Sequence, residues 1–267
     1  MSARQIASER IRKVEAIVIA HKEFGEADRL IRLFSCEYGK LTAIAKGVRK
    51  IQSRKAAHLE PFTHASLVLA YGHSFWIISQ ADTLINFPNI RADLARTANA
   101  AYVLELVDRA AVEGQPDRAL FRLTLETLQR LEAQPDAFNA LRSFEFRFLD
   151  LAGFRPELTH CVACKKEIQP KDQYFSVAQG GALCPTCGAM DARALGAKKD
   201  TLRYLRHFQR STYAQLDAVQ VPAGIRKEMQ KLMGAYIAYM MEGQLKTPEF
   251  IQQIRVDRPG SMADDIQ

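Results

Sequence analysis

Four of the five cysteines in this chain fall into two identical spacings, Cys161-Val162-Ala163-Cys164 and Cys184-Pro185-Thr186-Cys187, separated by 19 residues. Thiolates are strong ligands for a borderline-soft divalent cation, and a C-x2-C pair presents two of them from one tight turn. Two such turns close a tetrahedral site around Zn²⁺. Four protein ligands leave no coordination position for water, so the expected role is structural and not catalytic. A segment of about 27 residues is too small to bury a self-sufficient core. Zinc binding, worth roughly 10–16 kcal/mol of apparent free energy, makes up that deficit. Between the pairs, Tyr174-Phe175-Ser176-Val177 followed by Gly180-Gly181 suits a β-hairpin, so the segment reads as a four-cysteine zinc ribbon. The competing reading is a pair of independent redox motifs. A zinc deaminase would carry H-x-E and P-C-x-x-C. His58-Leu59-Glu60 matches the first half, but Leu183 stands where the proline should, and Cys161 and Cys164 would be left unused. Cys36 reads as a small buried side chain at a strand end.

A second group of residues suits a polyanion. Lys40, Lys46, Arg49, Lys50, Arg54 and Lys55 fall within 16 residues that contain no acid, and Arg29 and Arg32 lie just before them. Gly47 and Ser53 allow the backbone there to approach a phosphate closely. On a small barrel this is where a positive groove tracking a nucleic-acid strand would lie; the competing reading is a solvated basic loop. Lys198, Lys199, Arg203, Arg206 and Arg210 form another cluster, in which the last four share one helical face; a plain solvated face accounts for it equally well. The whole chain carries 37 Lys and Arg against 30 Asp and Glu, a net charge of +7. That excess favours nucleic acid or an anionic surface as partner. Phe24, Tyr38, Phe62, Tyr71, Phe75 and Trp76 are interleaved with these strands and divide between barrel core and base stacking.

The elements that must position these groups are legible from periodicity. Val14–Ala20, Leu30–Ser35, Lys40–Ala45, Ser66–Tyr71 and Phe75–Ala81 read as five strands, with Tyr38-Gly39 and Gly72-His73 as turns. The longer connection between the third and fourth fits a Greek-key barrel of the OB type, and an SH3-like barrel fits the strand count almost as well. After Pro88, helical stripes run through Leu94–Leu106, Leu120–Leu131, Phe138–Leu149, Thr201–Phe208 and Ile225–Met240. Their aromatic and Met residues read as bundle core. The fold expected is α+β and multidomain: an OB-fold barrel (1–82), a helical bundle domain in two parts (83–157 and 193–245) with the zinc ribbon (158–192) inserted, and a disordered tail (246–267). The N-terminal residues show no signal peptide and no apolar run spans a membrane, so a reducing cytoplasm is expected. No phosphate-binding G-x-x-x-x-G-K-[ST] loop, G-x-S-x-G or H-E-x-x-H occurs, and no catalytic residue is assigned.

Several stretches, in order, carry a family resemblance. They are Gly25-Glu26-Ala27-Asp28-Arg29, the run from Phe34 to Lys40, Ala45-Lys46-Gly47-Val48-Arg49, Phe144-Glu145-Phe146-Arg147-Phe148-Leu149, Leu151-Ala152-Gly153-Phe154-Arg155-Pro156 and the first cysteine pair. Over roughly residues 14 to 240 the chain resembles the bacterial RecO family of recombination mediators. The resemblance implies an N-terminal OB-fold, a helical domain and an inserted zinc element. It also implies binding to single- and double-stranded DNA, annealing of complementary strands, and help in loading recombinase onto strands coated by single-strand-binding protein. The implied partners are RecR and the acidic, apolar C-terminal tail of single-strand-binding protein, and the implied location is the bacterial cytoplasm, near the nucleoid. Two alternatives remain open at this point: a protein-interaction adaptor, and an RNA-binding zinc-ribbon protein without annealing activity.

Overall fold

The computed structural model describes residues 11–72 and 75–241. The chain divides into two compact units, residues 1–135 and 136–267.

The first unit is built on β1 (Ile11–Phe24), β2 (Asp28–Ser35), β3 (Gly39–Ala45), β4 (His64–Tyr71) and β5 (Trp76–Ile85). They close a barrel in the order β1-β2-β3-β5-β4. β3 runs parallel to β5, and every other neighbouring pair is antiparallel. This Greek-key order, with β4 closing onto β1, is that of the OB fold and decides against the SH3-like alternative. Successive strand residues point to opposite faces, so alternate positions fill the barrel. Val14, Ala16 and Val18 meet Ile31 and Leu33, Leu41 and Ala43, and Ala65, Leu67 and Leu69 in its core. β1 bulges between Val18 and Ala20, and the bend lets one long strand pair with β4 through its first half and with β2 through its second. The connection after β3 carries a 3₁₀ turn (Ala56–Leu59) that sets Leu59 into the barrel core.

Among the described residues, three helices complete this unit: α1 (Pro88–Ala92), α2 (Leu94–Ala110) and α3 (Arg118–Ala133). Asp93 and Asp117 cap the last two by accepting from Arg96 N and Leu120 N, each at 2.9 Å. Glu132, on α3, accepts from the backbone N–H groups of Asn89 and Ile90 and so caps α1 from a distance in sequence. Phe121 packs against Phe34 and His64 on the outer face of the barrel. That is why residues 16–20 form a continuous apolar run, since both faces of β1 are covered there, while Glu15 just before it meets His64 at 2.7 Å.

Gly39 begins β3 at φ +62°, and a Cβ there would lie 1.8 Å from the carbonyl oxygen of Gln115. Gly25, in the β1–β2 turn, has nearly the same φ but open space around it. Gly39→Ala is expected to cost roughly 3 kcal/mol or more, because a backbone segment must move, whereas Gly25→Ala should cost about 1 kcal/mol of conformational strain. Urea denaturation of the two variants checks the difference.

The second unit comprises α4 (Phe138–Leu151), β6 (Gln173–Ser176), β7 (Gly181–Leu183), α5 (Pro185–Met190), β8 (Leu195–Ala197), α6 (Lys199–Arg210), α7 (Tyr213–Asp217) and α8 (Ala223–Met240). The strands form a sheet in the order β7-β6-β8. The aromatic stripes are core as expected: Phe144 stacks on Phe148, and Phe138 meets Phe208 edge-on. Arg147, inside the Phe144–Leu149 stretch, lies over the Tyr213 ring at 4.1 Å and donates to Ser211 O at 2.9 Å, which pins α7 to α4. Phe175 of β6 meets Tyr236 of α8 edge-on, and the Tyr236 hydroxyl donates to Phe154 O. The sheet is thereby anchored to the helices. The expected disordered tail, 246–267, lies outside the described residues, as does His73 of the expected turn between β4 and β5.

Candidate functional site

The hairpin between the cysteine pairs forms as the sequence suggests, with Tyr174 opposite Leu183 and Phe175 opposite Ala182. The unexpected strand β8 pairs along the other edge of β6. The first knuckle is a turn closed by Lys165 N donating to Cys161 O and Cys161 N donating to Lys166 O, both at 2.8 Å. Val162 N donates to Ala182 O at 2.9 Å, which ties that turn to β7. The second knuckle opens α5, with Pro185 at its first position and Cys187 in its first turn.

These turns bring the four sulfurs within 4.8 Å of one another. Cys164 Sγ and Cys184 Sγ are 3.8 Å apart, far beyond the roughly 2.05 Å of a disulfide. Burial alone would raise the Cys161 thiol. Backbone N–H groups of Cys164, Cys184 and Ala163 outweigh it and bring the thiol down to about 6. Cys187 is pushed up to about 12 because its proton is shared with Cys184 and Cys164. Four thiols this close ionise together only where a cation compensates their charge. The donor set can hold a metal ion, with Cys161 buried and Cys164 at the surface. Glu157 fixes the approach to the first knuckle. Although its own burial opposes ionisation, the hydroxyl and N–H of Thr159 and the N–H of His160 hold its carboxyl down at about 2.

The basic residues of the barrel separate into two groups. Lys46, Lys50 and Arg54 are exposed on the connection after β3 and meet no acidic partner among the described residues. The base of that connection is rigid: Gly47 N donates to Asp28 Oδ1 at 2.7 Å, and Arg49 N to Ala27 O at 2.9 Å. Ile51 stands fully exposed among the three cations. The other five are engaged. Arg29 pairs with Glu60 at 2.9 Å, Arg32 with Asp108 at 2.8 Å and Arg49 with Glu23 at 3.3 Å. Lys40 Nζ donates to Asp108 O. Lys55 reaches across to Ile78 O at 2.9 Å, and burial pushes its ammonium below the ordinary lysine value. Burial would raise Glu60, but hydrogen bonds from Arg29 and His21 hold it below the usual carboxylate range.

Of the interleaved aromatics, Tyr38 and Trp76 pack against the barrel core. Phe24, Tyr71 and Phe75 are exposed, and Tyr71 sits edge-on to Trp76 at 4.9 Å. His58 and Glu60, the possible deaminase half-motif, are both bonded within the barrel, to Thr83 and to Arg29 and His21. Cys36 is half-buried just past β2, and its thiol is raised first by burial. Among the described residues no helix is long and apolar enough to cross a membrane.

These features define an OB-barrel protein whose second compact unit carries a four-cysteine cluster. Residues 10–87 match the family described as Recombination protein O N terminal, and residues 91–249 match Recombination protein O C terminal. The chain is 34% identical over 247 residues to the DNA repair protein RecO of a Roseiflexus species, covering 92% of this chain and 87% of that one. It is 35% identical over 245 residues to the DNA repair protein RecO of Desulforamulus reducens, covering 92% and 95%. The chain belongs to the RecO family of DNA repair proteins. The family's C-terminal region includes α2 and α3, which here belong to the barrel's compact unit.

Proposed function

We propose that this protein is a non-enzymatic recombination mediator that binds single- and double-stranded DNA and anneals complementary strands. The observation that carries the reading is the rigidly based, acid-free loop on the OB barrel, where Lys46, Lys50 and Arg54 are exposed without an acidic partner among the described residues. Annealing requires no chemical step. It requires two polyanions held close while bases pair, and cations that neutralise phosphates provide that. Arg29, Arg32, Lys40, Arg49 and Lys55 shape the surface on which those three stand, and the exposed Phe24, Tyr71 and Phe75 are candidates for base stacking.

The cysteine cluster holds one structural zinc ion through Cys161, Cys164, Cys184 and Cys187. A tetrahedron of zinc–thiolate bonds about 2.3 Å long has edges of about 3.8 Å, the separation found between Cys164 and Cys184. Zinc supplies folding free energy to the knuckles and no chemistry. Family membership extends the reading to two partners, RecR and the C-terminal tail of single-strand-binding protein, to help in loading recombinase, and to a bacterial cytoplasmic setting.

The test is annealing of two complementary oligonucleotides, each coated with single-strand-binding protein, without ATP. Acceleration by catalytic or stoichiometric protein is the expected result. Binding of the coated strands without annealing would make the protein an adaptor, and stronger competition by RNA than by DNA of equal length would make it an RNA binder.

A further inference from the structure

The basic face of α6 has no part in that reading. Lys199, Arg203 and Arg206 line a pocket of about 310 Å³, and Lys171, on the segment leading from the first knuckle to β6, lines it with them. Pro170 and Leu202 provide apolar lining. Among the described residues, four cations and no acid line the cavity. Asp172 and Asp200 are engaged at its margin, where Asp172 Oδ1 accepts from Lys199 N at 2.9 Å and Asp200 lies 3.5 Å from Arg203 in an exposed pair. The charges of Glu157 and Glu167 also act on Arg206. Arg206 is held in place by its Nε, which donates to Leu158 O at 2.8 Å, while its Nη2 is buried without a hydrogen-bond partner. A guanidinium fixed by the backbone, beside three further cations, is a preorganised oxyanion receptor. The volume exceeds what a bare oxyanion needs, and Pro170 and Leu202 offer apolar surface to the rest of a nucleotide.

We propose that this pocket is a second phosphate site, taking a phosphodiester group of a nucleic-acid strand independently of the barrel loop. The proposal rests on the nucleic-acid reading above and deepens it. Two backbone contacts on separate compact units give one chain the means to hold two strands, which annealing demands.

The experiment measures the salt dependence of binding to a labelled oligothymidylate by fluorescence anisotropy, for the full-length zinc-loaded protein and for Lys171→Gln/Arg203→Gln. Both side chains are exposed, so metal content and melting temperature should not move. Loss of two single-strand contacts should make the slope of log affinity against log salt shallower by about 1.4 and lower affinity about 25-fold at 0.1 M salt. A wild-type slope in this variant overturns the pocket, provided the wild-type protein binds the oligonucleotide. If the wild type binds none, the underlying reading fails instead. Line broadening of inorganic phosphate in ³¹P spectra, lost in the variant while its oligonucleotide slope stays unchanged, would reassign the pocket to free phosphate and also overturn the proposal. Displacement of an acidic peptide with the slope unchanged would assign it to a protein partner, with the same consequence.

Discussion

Cys164→Ser is expected to abolish stoichiometric zinc binding and to unfold the knuckle region while leaving the barrel intact. A four-thiolate zinc site contributes roughly 10–16 kcal/mol of apparent free energy at neutral pH, whereas a whole domain is stable by only about 5–15 kcal/mol. The knuckle region has little else to hold it. Its sheet has strands of four, three and three residues, and a few contacts link it to the helices: Phe175 with Tyr236, Arg206 Nε with Leu158 O, and Lys199 N with Asp172. Hydrogen exchange gives the sharpest readout. Amides in β6 and β7, such as those of Phe175 and Ala182, should exchange at least tenfold faster, and those of Leu33 and Leu67 in the barrel should not. Acidification should act on the wild type in the same direction, because protons compete with the metal for thiolates and loading releases them. Retention of one zinc ion per chain in Cys164→Ser would reject the four-ligand site.

Why this site was legible in the sequence while the basic surface was only partly so is a matter of range. The ligands belong to two local turns, and the hairpin that brings the turns together carries its own strand and glycine signals, so spacing alone was sufficient. The barrel strands were legible for a similar reason, since alternating positions such as Leu41, Ala43 and Ala45 encode a face. The closure order was not, because five short strands do not state which edge β4 will join. The engagement of a cation is a tertiary property. Arg32 and Lys40 meet Asp108 from far along the chain, and Lys55 finds Ile78 O on the opposite strand; no window around any of them shows this. The elements that periodicity passed over are short. α1, α5, α7 and β8 are below the length at which a stripe can be recognised, and short helices need tertiary contacts to persist. For α7 a signal existed, the Thr212–Gln215 capping box. For α1 the cap is Glu132, more than 40 residues away. Nor does periodicity mark where the compact units part, since α3 and α4 carry comparable stripes and are joined by a short link at Pro135.

Charge reversal of Lys46, Lys50 and Arg54 to glutamate is expected to produce the largest loss of DNA affinity available from the barrel. Each phosphate neutralised on a single strand contributes about 0.7 to the slope of log affinity against log salt. Three lost contacts flatten it by about 2 and weaken binding about a hundredfold at 0.1 M salt, before any repulsion from the new carboxylates. The comparison that gives this result meaning is with Lys55→Met and Arg29→Gln. Lys55 satisfies the Ile78 carbonyl, so its loss should cost about 1–3 kcal/mol of stability through a group left without a partner. Glu60 keeps His21 and solvent when Arg29 is replaced, so that change should cost about 1 kcal/mol or less. Both variants should leave the salt slope near that of the wild type. The two classes of variant therefore separate charge that faces a ligand from charge that holds the barrel together, although all five residues come from the same basic run or the strand before it. A triple variant with the wild-type slope would mean that the loop is merely solvated and that DNA, if bound, is held elsewhere. A slope flattened equally by Lys55→Met would mean that Lys55 leaves the Ile78 carbonyl to meet a phosphate.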